Sequence, residues 1–143
     1  MEQARECVTV IDVVLSRSEF DETAFEGYVA GNERFHALLA EMAGSAVVVR
    51  QLERVVSLPF ASPNAFMSVQ AATPDAHETL LVAQDQHHQV LEAIERREGA
   101  RAEALMREHA RIARRNLQRA LDHQPSLKLV PCGALIHRDA ERG

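Results

Sequence analysis

Three of the seven histidines in this chain of 143 residues are spaced so that they could share one buried site. Residues three and four positions apart lie on the same face of a helix, so the phase of each apolar stripe shows which histidines point inward. By this criterion His36, His87 and His109 each fall within the apolar stripe of a separate helix, and Asn32 lies one turn before His36. His88 falls on a polar line beside the stripe, and we expect it to point outward.

These four side chains together favour a cation site. Burying imidazoles and an amide without shared partners would cost about 1–3 kcal/mol for each group, and a bound cation would satisfy them collectively. Imidazole nitrogen suits zinc, nickel, copper or iron, and three nitrogens with one amide oxygen leave a position free for water or an added ligand. We expect a divalent metal, zinc or nickel. The competing interpretation is a hydrogen-bonded polar core around ordered water.

The elements that carry these residues are predicted to be helices. The first segment contains several β-branched residues and could also be a strand, but its apolar residues have helical spacing. Ser18 and Thr73 are the predicted N-caps of two helices, and Gly44 is predicted to end the second helix. Short connections favour antiparallel neighbours, so the fold class is all-α, a single antiparallel helical bundle over residues 1–143, with a loop at 59–64 and a tail from 126. Helices are predicted over residues 4–15, 18–43, 45–57, 65–70, 73–97 and 100–123.

Composition excludes several classes of function. The net charge is −5, which gives no overall attraction to nucleic acid, and the arginines of the last helix are interpreted as a solvated face. Two cysteines far apart predict a reducing compartment, and no apolar run is long enough to span a bilayer. We therefore expect a cytoplasmic protein with no membrane partner.

Three ordered motifs resemble the effector-binding domain, called FCD, of FadR-type regulators in the GntR family of bacterial transcription factors. They are residues 32–38, 87–94 and 106–109, and residues 58–63 and 114–117 are similar to one branch of the family. The resemblance covers about residues 25–121, and the family's spacing between the last two histidines is also found here. As an ordered set the motifs are fairly specific.

The resemblance implies a helical bundle with a central cavity. In the family this cavity commonly holds a divalent metal on three histidines and an aspartate, and a small carboxylate metabolite binds on or beside the metal. By position His36, His87 and His109 match the histidines, whereas Asn32 stands where the aspartate is usual. An amide oxygen is neutral and a weaker donor than a carboxylate, which bears on the affinity for the metal.

The function implied is sensing rather than catalysis. The carboxylate would be bound with help from Arg50 or Arg54 of the third predicted helix, since a guanidinium can bind a carboxylate in a bidentate fashion. We expect a homodimer that contacts DNA only through the family's winged helix-turn-helix, which has no counterpart in this sequence. Two alternatives stay open: a metal-free helical dimerisation module, and a helical-bundle metalloenzyme. The second would lack an inward carboxylate to act as general base.

Overall fold

The fold is all-α, as predicted, in a computed structural model that describes residues 1–58, 60–122, 128 and 130. No strand occurs among these residues, so the first segment is a helix and not a strand. The C-terminal end of the last predicted helix at His123, most of the tail from 126 and Cys132 lie outside the described residues. The helices are α1 (Glu2–Leu15), α2 (Glu22–Met42), α3 (Ala46–Val56), α4 (Met67–Ala71), α5 (Ala76–Glu95) and α6 (Gly99–Asp122).

The start of α2 differs from the prediction. Asp21, rather than Ser18, is the N-cap, and its carboxylate accepts a hydrogen bond from the backbone N–H of Ala24 at 2.8 Å. The negative charge of an aspartate at the N-cap also interacts favourably with the positive end of the helix dipole. Asp21 therefore caps α2 in place of Ser18, which lies three residues earlier. The end of α2 was predicted correctly, because Gly44 follows the C-cap with a φ of 63°.

The start of α5 was also predicted too early. The hydroxyl of Thr73 donates to the carbonyl oxygen of Gln70 at 2.7 Å, so Thr73 belongs to the turn that follows α4. The N-cap of α5 is Asp75.

The core lies between α1, α2 and α5, and α6 packs along α5. Gly31 of α2 permits the close approach of α1, because a Cβ at that position would lie 2.6 Å from Cγ1 of the buried Ile11. The packing of α1 against both α2 and α5 fixes the spacing of the helices that carry His36 and His87. α6 then brings His109 to the same region.

The helix α3 was predicted correctly but contributes no buried residue. It packs mainly against α2, and its apolar side is open to solvent. The exposed apolar residues of this helix are Val47, Val48, Leu52, Val55 and Val56. None of the helices in the described part of the chain is long and apolar enough to cross a membrane.

Candidate metal centre

Three imidazoles from three helices meet in the interior of the bundle. His36 lies on α2, His87 on α5 and His109 on α6, and one ring nitrogen of each lies within 4.8 Å of the other two. The ring centroids of His87 and His109 are 4.7 Å apart, and that of His36 lies 5.3 Å from His109. His87 is fully buried, whereas His88 is exposed. The helical phase therefore distinguished the two adjacent histidines correctly.

Burial keeps these imidazoles neutral. Desolvation, with a smaller contribution from the neighbouring His109, lowers the pKa of His36 to about 4. Desolvation and the other histidines lower the pKa of His87 to about 2, and desolvation lowers the pKa of His109 to about 4. A neutral imidazole has one nitrogen with a free lone pair, which is the form that binds a metal.

The tautomer of His87 is determined by Gln84, one turn earlier on α5. The Gln84 Nε2 donates to the carbonyl oxygen of Val8 at 2.8 Å and to Oδ1 of Asp12 at 2.7 Å, so its Oε1 must face the other way. That oxygen lies 3.0 Å from His87 Nδ1, which therefore donates a proton to it. The lone pair of His87 is consequently on Nε2, toward which no described residue donates.

The other two histidines also offer a ring nitrogen to a cation. The side-chain oxygen of Gln86 lies 3.1 Å from His109 Nδ1, so this nitrogen carries the proton and Nε2 has the lone pair. The Nε2 of His36 is buried and has no hydrogen-bond partner among the described residues. Buried imidazole nitrogens without partners in a group of three have the arrangement that a bound cation requires, so the residues fit a divalent metal.

Asn32 is buried one turn before His36 on α2, and its amide orientation is determined by Asn64. The Nδ2 of Asn64 donates to the carbonyl oxygen of Val29 at 3.2 Å, so the Oδ1 of Asn64 accepts the hydrogen bond from Asn32 Nδ2 at 2.8 Å. This bond leaves the Oδ1 of Asn32 as the atom available to a cation. Asn32, His36 and His109 all line the same cavity.

The cavity has a volume of about 230 Å³, below the roughly 300–1,000 Å³ of pockets that hold drug-sized ligands. It extends from the histidines toward α4 and the segment 60–63, and its lining is mostly apolar. No lysine, arginine, aspartate or glutamate is among the described residues that line it.

The predicted site residues are therefore only partly brought together. The three histidines lie together, and Asn32 lines the same cavity as His36 and His109. Arg50 and Arg54 are exposed on α3 and are not among the residues that line the cavity. Their role in binding a carboxylate stays a prediction, without support from this geometry.

Several polar residues at the site were not predicted as site residues. They are Gln70, Gln84, Gln86 and Asn116, and the buried members of this set are Gln70, Gln84 and Asn116. A signal existed for Gln84, because it precedes His87 by three residues in the inward stripe. No comparable signal exists for Gln70, which lies on a short helix without a clear apolar period.

Comparison with known proteins agrees with this architecture. The sequence matches the FCD domain over residues 3–112, a range that begins in α1 and so starts earlier than the motifs. This domain is the C-terminal effector-binding domain of GntR-family regulators, and it is a regulatory domain rather than a known enzyme family. No curated protein matches the sequence. Since the match spans more than half of the chain, the protein belongs to the FCD domain family of ligand-sensing domains.

Proposed function

We propose that this domain senses a small carboxylate metabolite at a divalent metal held by His36, His87 and His109, with the Oδ1 of Asn32 as a fourth ligand. The observation that carries the proposal is the pair of buried Nε2 atoms of His36 and His87, which have no partner among the described residues. Zinc and nickel suit this donor set.

A metal bound at these residues would supply a Lewis-acidic positive charge that attracts a carboxylate. The protein's own groups prepare that site in two ways. Gln84 and Gln86 hold the protons of His87 and His109 on Nδ1, so that both Nε2 atoms keep their lone pairs. No lysine or arginine is among the described residues that line the cavity, so the preference for an anion would depend on the metal.

The output we propose is a change in DNA binding by an intact, cytoplasmic regulator. The cavity is lined by residues of α2, α4, α5 and α6, so one ligand would contact four helices at once. Such a ligand favours one arrangement of these helices only if it binds that arrangement more tightly. Assignment to the FadR branch and a homodimeric state belong to the same proposal. The open apolar side of α3 is compatible with a second copy of the chain.

Calorimetric titration of small carboxylates into metal-loaded and metal-free protein tests the proposal. We expect about one equivalent of zinc or nickel to bind, and a carboxylate to bind only to the loaded form. His87→Ala should reduce zinc affinity more than about 100-fold, since it removes one of three nitrogen ligands. His88→Ala, the adjacent exposed histidine, is the matched control and should bind zinc nearly as wild type does. Carboxylate binding that is equal with and without metal would contradict the proposal.

A further inference from the structure

A second polar group lies in the cavity, away from the histidines. Gln70 of α4 and Asn116 of α6 both line it, and Gln70 is 0% and Asn116 2% exposed. The Nδ2 of Asn116 donates to the Oε1 of Gln70 at 2.7 Å. The Nε2 of Gln70 is buried and has no partner among the described residues.

An amide nitrogen in this state is costly. Leaving a buried donor without an acceptor costs about 1–3 kcal/mol, so such groups usually face a ligand or an ordered water. The bond from Asn116 fixes Gln70 with its nitrogen as the free end. The site therefore offers a donor and would select an acceptor.

The position of this donor relative to the histidines limits the length of a ligand that uses both. His109 and Asn116 are both on α6 and both line the cavity, two turns and hence about 10 Å apart along the helix axis. Because the side chains of both residues occupy part of this distance, a ligand that uses both ends can be shorter than the separation along the axis. The lining between them is apolar and includes Leu80, Ile112 and Ala113.

We infer that Gln70, held by Asn116, is a specificity-determining residue that recognises an uncharged oxygen at the far end of a short-chain monocarboxylate. The inference rests on the proposed function, since the carboxylate end is assigned to the histidine end of the cavity. The far oxygen is a ketone, hydroxyl or amide oxygen. A second carboxylate is disfavoured, because no cation is among the described lining residues and one neutral donor does not compensate for burying that charge.

Three acids with five carbons, titrated calorimetrically into the zinc-loaded protein, distinguish recognition of an uncharged far oxygen from recognition of a charged one. Pentanoate has no far oxygen, 4-oxopentanoate has an uncharged one and pentanedioate has a charged one. We expect 4-oxopentanoate to bind about tenfold more tightly than pentanoate, as one good hydrogen bond gives. Pentanedioate should bind no more tightly than pentanoate.

The variant Gln70→Leu keeps a similar side-chain volume and removes the donor. It should reduce the preference for 4-oxopentanoate over pentanoate, the ratio of the two dissociation constants, to less than about twofold. In wild type, the side-chain amide resonance of Gln70 should shift with 4-oxopentanoate and not with pentanoate, a readout that does not depend on the variant folding.

The outcomes distinguish this inference from the proposed function. If pentanoate binds and the oxo group adds nothing in wild type, or if Gln70→Leu keeps the preference, the inference is wrong and the metal-assisted sensor stands. Tighter binding of pentanedioate than of 4-oxopentanoate would also overturn it. If none of the three acids binds to zinc-loaded, folded protein, both this inference and the proposed function fail.

Discussion

Replacing Gln84 by leucine should weaken metal binding although Gln84 is not a metal ligand. Its amide makes three hydrogen bonds, to the carbonyl oxygen of Val8 at 2.8 Å, to Asp12 at 2.7 Å and to His87 Nδ1 at 3.0 Å. The first two determine which way the amide faces, and the third keeps the proton of His87 on Nδ1. Leucine has a similar size but cannot accept that proton, so His87 Nε2 would no longer be held as the free nitrogen.

The magnitude follows from the loss of one orienting partner. Removing a group that orients a metal-bound histidine typically costs about 10- to 100-fold in affinity, equivalent to about 1.4–2.8 kcal/mol. The variant should also lose about 1–3 kcal/mol of stability, because the buried Nδ1–H of His87 loses its acceptor. The loss of the bonds to Val8 and Asp12 adds to the stability effect but not directly to the metal effect.

A competition titration against a zinc-binding dye at neutral pH measures the first effect, and urea unfolding measures the second. Gln89→Leu is the matched control: the same substitution on the same helix, at a residue that donates to Asp85 and not to a histidine. We expect its zinc affinity to be within about twofold of wild type. If Gln84→Leu is folded and binds zinc as tightly as Gln89→Leu does, the assignment of the His87 tautomer is refuted.

Three further predictions concern stability. Gly31→Ala should lower the free energy of unfolding, because overpacking against Ile11 costs about 1–3 kcal/mol. Gly27→Ala has room for its methyl group and should gain about 1 kcal/mol from helix propensity. Urea unfolding measures both variants, and a more stable Gly31→Ala would contradict the prediction. Arg97 follows the end of α5 with a φ of 60°, a left-handed conformation that favours glycine, so Arg97→Gly should stabilise the protein by about 1 kcal/mol. Arg96→Gly, at a φ of −81°, should not stabilise it. Equal melting temperatures of the two variants would refute the role of the left-handed conformation. The third prediction concerns pH in metal-free protein with chelator. Because the pKa values of the three buried histidines are lowered, their contribution to stability is fully present above about pH 6.5 and declines as the pH falls toward about 4, by up to roughly 1.4 kcal/mol per pH unit for each. A free energy of unfolding that stays constant over this range would contradict their burial in the neutral form.

The sequence was informative where helical period decides the outcome. The period alone distinguished His87 from His88, since one residue of rotation by about 100° moves a side chain from the core to the surface. It also placed Asn32 on the inward side of α2 together with His36. The three histidines met as expected because α2, α5 and α6 are long enough for their apolar stripes to define a face.

Helix starts and relations between helices were less predictable. Ser18 and Thr73 are plausible caps, but α2 begins after Asp21, whose carboxylate caps it, and α5 begins after Asp75, whose side chain makes no capping hydrogen bond. Serine, threonine and aspartate all serve as N-caps, so local sequence does not choose between neighbouring candidates. The exposure of Arg50 and Arg54 depends on how α3 lies against α2, a tertiary relation with no periodic signal. The Gln70–Asn116 pair depends in the same way on the packing of α4 against α6.

X-ray absorption at the metal edge of zinc-loaded protein shows directly which atoms bind the metal. We predict one tightly bound zinc per chain, with three imidazole nitrogens at about 2.0–2.1 Å and oxygen in the remaining positions. His109→Ala should reduce the imidazole count to two. A sulfur ligand, fewer than two imidazoles in wild type, or less than about 0.2 equivalents of bound zinc in folded protein would contradict the metal centre at His36, His87 and His109.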